Sequence, residues 1–116
     1  MTAEREEAQR LLRLAARDQR AFEVLLDGGV TEDFPAAAFH AQQAVEKALK
    51  AALCLRRIEF RRTHDLLELA GRLRDAGVTL PVADDVLQRL TPYAVEFRYD
   101  DQALALIAPE DAQTLV

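Results

Sequence analysis

Ala38, Ala41, Val45, Ala48, Leu49 and Ala52 fall on one side of a helix when each residue turns the chain by about 100°, while His40, Gln43, Lys47 and Lys50 line the other. This pattern predicts a long amphipathic helix opening near Asp33 or Phe34, where Asp33 caps and Pro35 is tolerated in the first turn, and running to Leu55. Eight alanines between Ala36 and Ala52 make the helix slim, so neighbours can approach closely and it belongs at the centre of the fold.

The other apolar positions repeat at helical spacing too. Ala8, Leu11, Ala15, Phe22 and Leu26 share a face of a first helix from about Ala3 to Leu26, with Thr2 as N-cap and Asp27-Gly28-Gly29 as its stop. Leu66, Leu69, Ala70 and Leu73 predict a third helix, capped by Thr63 and closed by Gly77. Val86, Leu87, Leu90, Tyr93, Ala94 and Phe97 predict a fourth that opens near Val82. Pro92 removes a backbone donor and crowds the turn before it, so the fourth helix is expected to kink or to split with Thr91 capping its second part. Pro109 to Val116 reads as the first turns of a short fifth helix. Short connections between antiparallel helices make an all-α, up-and-down four-helix bundle the expected fold, as one domain over residues 1–116.

Composition supports helices: half of the 116 residues are apolar, and glycine and proline number four each. The charged N-terminus lacks a signal peptide's apolar run and no stretch is long enough to span a bilayer, so a cytoplasmic protein without membrane contact is expected. Cys54 is the single cysteine, which fits a reducing compartment and offers neither a disulfide nor a zinc set.

The net charge of −5 is unevenly spread. Residues 10–74 carry twelve Lys and Arg against nine Asp and Glu, and residues 75–116 carry two against eight. A locally basic surface can therefore exist on an acidic chain. Arg10, Arg13, Arg17 and Arg20 form one basic stripe along the first helix, read as a solvated face in preference to a phosphate track.

Three blocks occur together and in order: His40-Ala-Gln-Gln-Ala-Val-Glu-Lys-Ala-Leu-Lys50, Thr63-His-Asp-Leu-Leu67 and Phe97-Arg-Tyr-Asp100. Their order and spacing resemble the HEPN family, named for higher eukaryotes and prokaryotes nucleotide-binding, over nearly the whole chain. The resemblance implies a small helical bundle of the prokaryotic stand-alone type, a homodimer, that partners a minimal nucleotidyltransferase in a toxin–antitoxin-like module. It implies no cofactor. Some members are metal-independent ribonucleases that use an arginine and, four to six residues on, a histidine.

Here the pattern departs from those ribonucleases. The only histidines are His40 and His64, so none follows Arg98, and Asp100 stands where the family usually has proline. Arg57 and His64 do have six residues between them, but His64 also matches the family's structural Thr-His-Asp-Leu opening. Arg57 and His64 are thus the candidate catalytic pair, with His64 as base on a ribose hydroxyl and Arg57 or Arg61 facing the phosphorane. The reading preferred for His64 is a structural one, fixing the lead-in to the third helix. Arg98 and Tyr99 are read first as structural.

His40, Gln43, Lys47, Lys50, Arg61, Arg98 and Tyr99 are the candidates for binding nucleotide, RNA or a partner. On the second helix, Glu46 is expected to pair with Lys50 four residues on. The acidic pairs Asp84-Asp85 and Asp100-Asp101 lack a third ligand, so no metal is expected. The preferred function is a non-catalytic or weakly active HEPN-like partner protein; the alternatives are a ribonuclease toxin and an unrelated helical adaptor.

Overall fold

Thr2 starts the first helix by accepting a hydrogen bond from the Arg5 amide at 3.1 Å, with Glu4 and Glu6 in the first turn where the helix dipole favours acids. The computed structural model describes residues 2–29 and 34–94, and contains α1 (Ala3–Asp27), α2 (Phe34–Leu55), α3 (Leu66–Asp75) and α4 (Asp84–Leu90), followed by a 3-10 turn (Thr91–Ala94). The fold is all-α, with no strand among the described residues. Asp33, the second expected cap, and Phe97, Arg98, Tyr99, Asp100 and the expected fifth helix lie outside the described residues.

The long helices α1 and α2 run antiparallel. Ala8 and Leu11 near the start of α1 pack on Ala51 near the end of α2, and Phe22 further along α1 joins Ala37 and Ala41. Alanines on the α2 side keep that seam thin, as the sequence predicts. On the other flank of α2, Leu49 and Leu53 meet Leu66, Leu69, Ala70 and Leu73 of α3 and Leu87 and Leu90 of α4. These leucines are almost all fully buried, and each contributes roughly 1.5–3 kcal/mol by leaving water.

Three local expectations change. Asp65, not Thr63, caps α3, accepting from the amides of Leu67 and Glu68, while the Thr63 hydroxyl accepts from the Asp65 amide one step earlier. The helix splits at Thr91 as expected, into α4 and the 3-10 turn, but the Thr91 hydroxyl turns elsewhere than to a cap: it donates to the Leu87 carbonyl and accepts from the Leu66 amide, which ties the end of α4 to the start of α3. Ala48 is exposed, not core, and the polar Gln42 and Glu46 are buried where an apolar face was expected to end. α2 is enclosed on more sides than a two-faced helix would be.

Both α2 and α3 end in the same hydrogen-bond motif. At α3 the Val78 amide reaches the Leu73 carbonyl and the Gly77 amide reaches that of Arg74, with Gly77 at φ 90°. At α2 the Ile58 amide reaches Leu53 and the Arg57 amide reaches Cys54, and the residue in the left-handed position is Arg57, at φ 55°. A side chain there costs about 1 kcal/mol that glycine would not incur.

Candidate functional site

Two buried carboxylates organise the polar side chains of α2. Asp18 sits in the apolar register of α1, four residues before Phe22 and three after Ala15, and is only 8% exposed. Its two oxygens take Lys47 Nζ and, at 2.8 Å, His40 Nδ1. The stripe expected to be an outer surface therefore turns partly into the α1–α2 seam, where the antiparallel pairing brings residue 18 between residues 40 and 47.

Glu46 is the second centre, 4% exposed. Gln42 Nε2 donates to Oε1 at 2.9 Å, Lys50 Nζ to Oε2 at 3.0 Å, and His64 Nδ1 lies 2.8 Å from Oε1. Gln43 joins through Gln42, its Nε2 donating to Oε1 at 2.7 Å. The expected pair of Glu46 with Lys50 is present, but as one bond in a four-partner network. Burial alone would raise the Glu46 pKa; the hydrogen bonds from Gln42, Lys50 and His64 and the charge of Lys50 outweigh it and hold the carboxyl below its ordinary 4.5.

His64 approaches this network from outside. Asp65 and the tie from Leu66 to Thr91 fix the lead-in to α3, and this sets the imidazole over α2. An ionised Glu46 accepts from Nδ1–H, so in the neutral imidazole the lone pair is on Nε2. The side chain is 57% exposed although its anchor is 5% exposed. The residues can thus do two things chemically: hold α3 against α2, and present a fixed imidazole nitrogen at the surface.

The candidate pair is not assembled by any bond. Arg57 is exposed in the α2 terminal motif, and its side chain makes no hydrogen bond or ion pair among the described residues. Arg61 is held by Glu68, its Nε 2.7 Å and 2.9 Å from the two carboxylate oxygens, and this pair is largely exposed.

Beside Lys50 a groove of about 390 Å³ opens between α1, the end of α2 and the connection to α3. Arg10, Lys50 and Arg62 face it together with Glu7, Cys54 and Phe60. Arg10 is already paired with Glu7 at 2.6 Å, whereas Arg62 has no ion pair among the described residues. Burial, then the acids Glu7 and Glu4, push the Cys54 thiol up, so it lacks the thiolate character of a nucleophile. Phe60 also borders a smaller cleft of about 280 Å³ with Arg61, Glu68 and Arg72.

Asp18 and Gln42 are the site residues that the sequence reading missed, and for Glu46 it gave the pairing with Lys50 but not the burial or the bonds to Gln42 and His64. Asp18 stands in an apolar register, and a charge at such a position is the signal that marks it; its cation, Lys47, lies on another helix, whereas the cation on Glu46, Lys50, lies on the same helix. Among the described residues no group of three or more His, Cys, Asp or Glu is placed to hold a metal ion, and no helix is long and apolar enough to cross a membrane.

A model of the family described as HEPN domain matches residues 8–116. No curated protein and no solved structure matches the chain.

Proposed function

The chain belongs to the HEPN family, and from that premise we propose that it is a non-catalytic or weakly active member, a homodimer that binds nucleotide and partners a minimal nucleotidyltransferase in a two-component, toxin–antitoxin-like module. The observation that carries the nucleotide part is the groove beside Lys50. Its cations Lys50, Arg10 and Arg62 outnumber the one carboxylate, Glu7, and Phe60 offers a ring face beside them. A phosphate suits the first and a base the second, since stacking on an aromatic contributes about 1–3 kcal/mol. The partner and the dimer rest on the likeness of the three sequence blocks. The chain is then the binding half of the module, and the nucleotidyl chemistry belongs to the partner.

A second reading is supported by one observation. The Glu46–His64 bond leaves a fixed Nε2 at the surface, the arrangement a general base needs. A metal-independent ribonuclease would use it on a ribose 2′-hydroxyl, with Arg57 facing the charged phosphorane. Against this stands the position of Arg57, joined to nothing near His64.

The test of the first reading is to look for a minimal nucleotidyltransferase in the neighbouring reading frames and to co-express it with this chain. A stable complex whose mass corresponds to a dimer of this chain with bound partner is expected. Neighbouring reading frames without such an enzyme, or two proteins that elute separately, would overturn the partner claim. Titration of ATP and GTP against wild type and Arg62→Glu decides the nucleotide claim, binding lost in the variant being the expected result and binding unchanged the contrary one.

A further inference from the structure

The two histidines make the same bond in different settings. His40 Nδ1 and His64 Nδ1 each lie 2.8 Å from a buried carboxylate, Asp18 and Glu46 respectively. In both, the carboxylate accepts from Nδ1–H, so in the neutral ring the lone pair lies on Nε2. His40 lies in the helix seam, 31% exposed, with the Phe39 ring edge-on at 5.3 Å. His64 is 57% exposed, and since Nδ1 faces buried Glu46, the exposed edge is the one that carries Nε2. That nitrogen has no hydrogen-bond partner among the described residues.

What such a nitrogen does depends on its neighbours. Acid–base cleavage of RNA needs a second group to protonate the leaving oxygen, and among the described residues no such group is bonded to His64. Covalent acceptance needs only the nucleophile, something to stabilise the cationic ring that results, and positive charge near the group gained. Glu46 meets the second need. For the third, Arg62, two residues before His64 in the chain, is exposed and has no ion pair among the described residues, while Lys50 is held 3.0 Å from the other oxygen of Glu46.

We propose that His64 Nε2 is a phosphoryl acceptor, a modification site that takes a phosphoryl group from a small acyl phosphate, with Glu46 as its positioning residue. The Nε2 lone pair attacks phosphorus and an N–P bond forms. The donor's P–O bond breaks, and the carboxylate leaves with the bonding electrons. The ring keeps its Nδ1 proton on Glu46, so the imidazolium charge faces a carboxylate, and no other proton moves. The modification adds negative charge to the surface between α2 and α3, beside the groove. It stands independently of the nucleotidyltransferase partner, because the donor is a free small molecule.

The full-length chain is incubated with acetyl phosphate, and modification is followed by intact mass, peptide mapping and phosphorus NMR. The expected result is one phosphoryl group per chain, on His64, labile in acid and stable in alkali, absent from His64→Gln and at least roughly tenfold slower in Glu46→Gln. His40 in the wild-type protein is the internal comparison and remains unlabelled. No label at His64, or equal labelling of His40 and His64, overturns the proposal. So does a Glu46→Gln protein of wild-type helicity that labels at the wild-type rate. Should that variant not fold, the two histidines of the wild type decide alone.

Discussion

His64 and Glu46, eighteen residues apart, meet at 2.8 Å, and through this bond the exposed connection before α3 is fastened to the buried centre of α2. Glu46 carries Gln42 and Lys50 as well, so removing its carboxylate strands three partners at once. Glu46→Ala is expected to cost about 2–4 kcal/mol, because Lys50 loses its counter-charge in a half-buried place. Urea denaturation of the two proteins gives the number. A loss below about 0.5 kcal/mol, the range of ordinary surface changes, would show that the network is not structural.

The same carboxyl makes stability depend on acid. Its pKa is held below 4.5 in the folded chain, so the unfolded chain binds the proton more readily. Its contribution is fully present above the unfolded value and is lost as pH falls through the lower, folded value. Melting temperatures measured from about pH 7 down to about pH 3 are expected to fall more steeply in the wild type than in Glu46→Gln. Parallel curves would contradict this.

Asp18 does for the α1–α2 seam what Glu46 does for α3. Asp18→Ala leaves Lys47 and His40 without their acceptor at a partly buried position and is expected to cost about 1–3 kcal/mol. Asp18→Asn, which keeps an acceptor oxygen, costs less. Equal losses in chemical denaturation would mean that volume, not hydrogen bonding, is what the site requires.

Arg57 occupies the left-handed position that Gly77 fills at the end of α3. Arg57→Gly is therefore expected to stabilise the chain by about 0.5–1 kcal/mol, and Arg57→Ala, which keeps a Cβ at positive φ, to bring no such gain. The pair of denaturation midpoints checks it. A gain shared by both variants would point to the charge of Arg57 instead of its backbone.

How much of this could be read from the sequence follows from what kind of force sets each feature. Local helix geometry fixes the apolar registers of α1 and α3, and Leu66, Leu69, Ala70 and Leu73 are buried as their spacing predicts. The bounds of α2 emerge because Pro35 marks its first turn and alanines run to its end. Ala48 was misplaced because a wheel with one core face cannot represent a helix enclosed on several sides. Asp18 and the burial of Glu46 escape for a related reason: periodicity sorts residues into apolar and polar, and a buried charge that is neutralised, Asp18 by Lys47 across the α1–α2 seam and Glu46 by Lys50 along its own helix, belongs to neither class. His64 was singled out by its neighbours in sequence, but its partner is contributed by a different helix, and only the packing of α3 on α2 brings the two together.

The central claim is that His64 stands on a buried carboxylate without the partners that would make it a ribonuclease. Incubation of the purified chain with total RNA in the presence of a chelator, beside His64→Ala at the same concentration, tests it most directly. The account predicts RNA as intact with either protein as with buffer alone. Cleavage by the wild type that disappears in His64→Ala would contradict it.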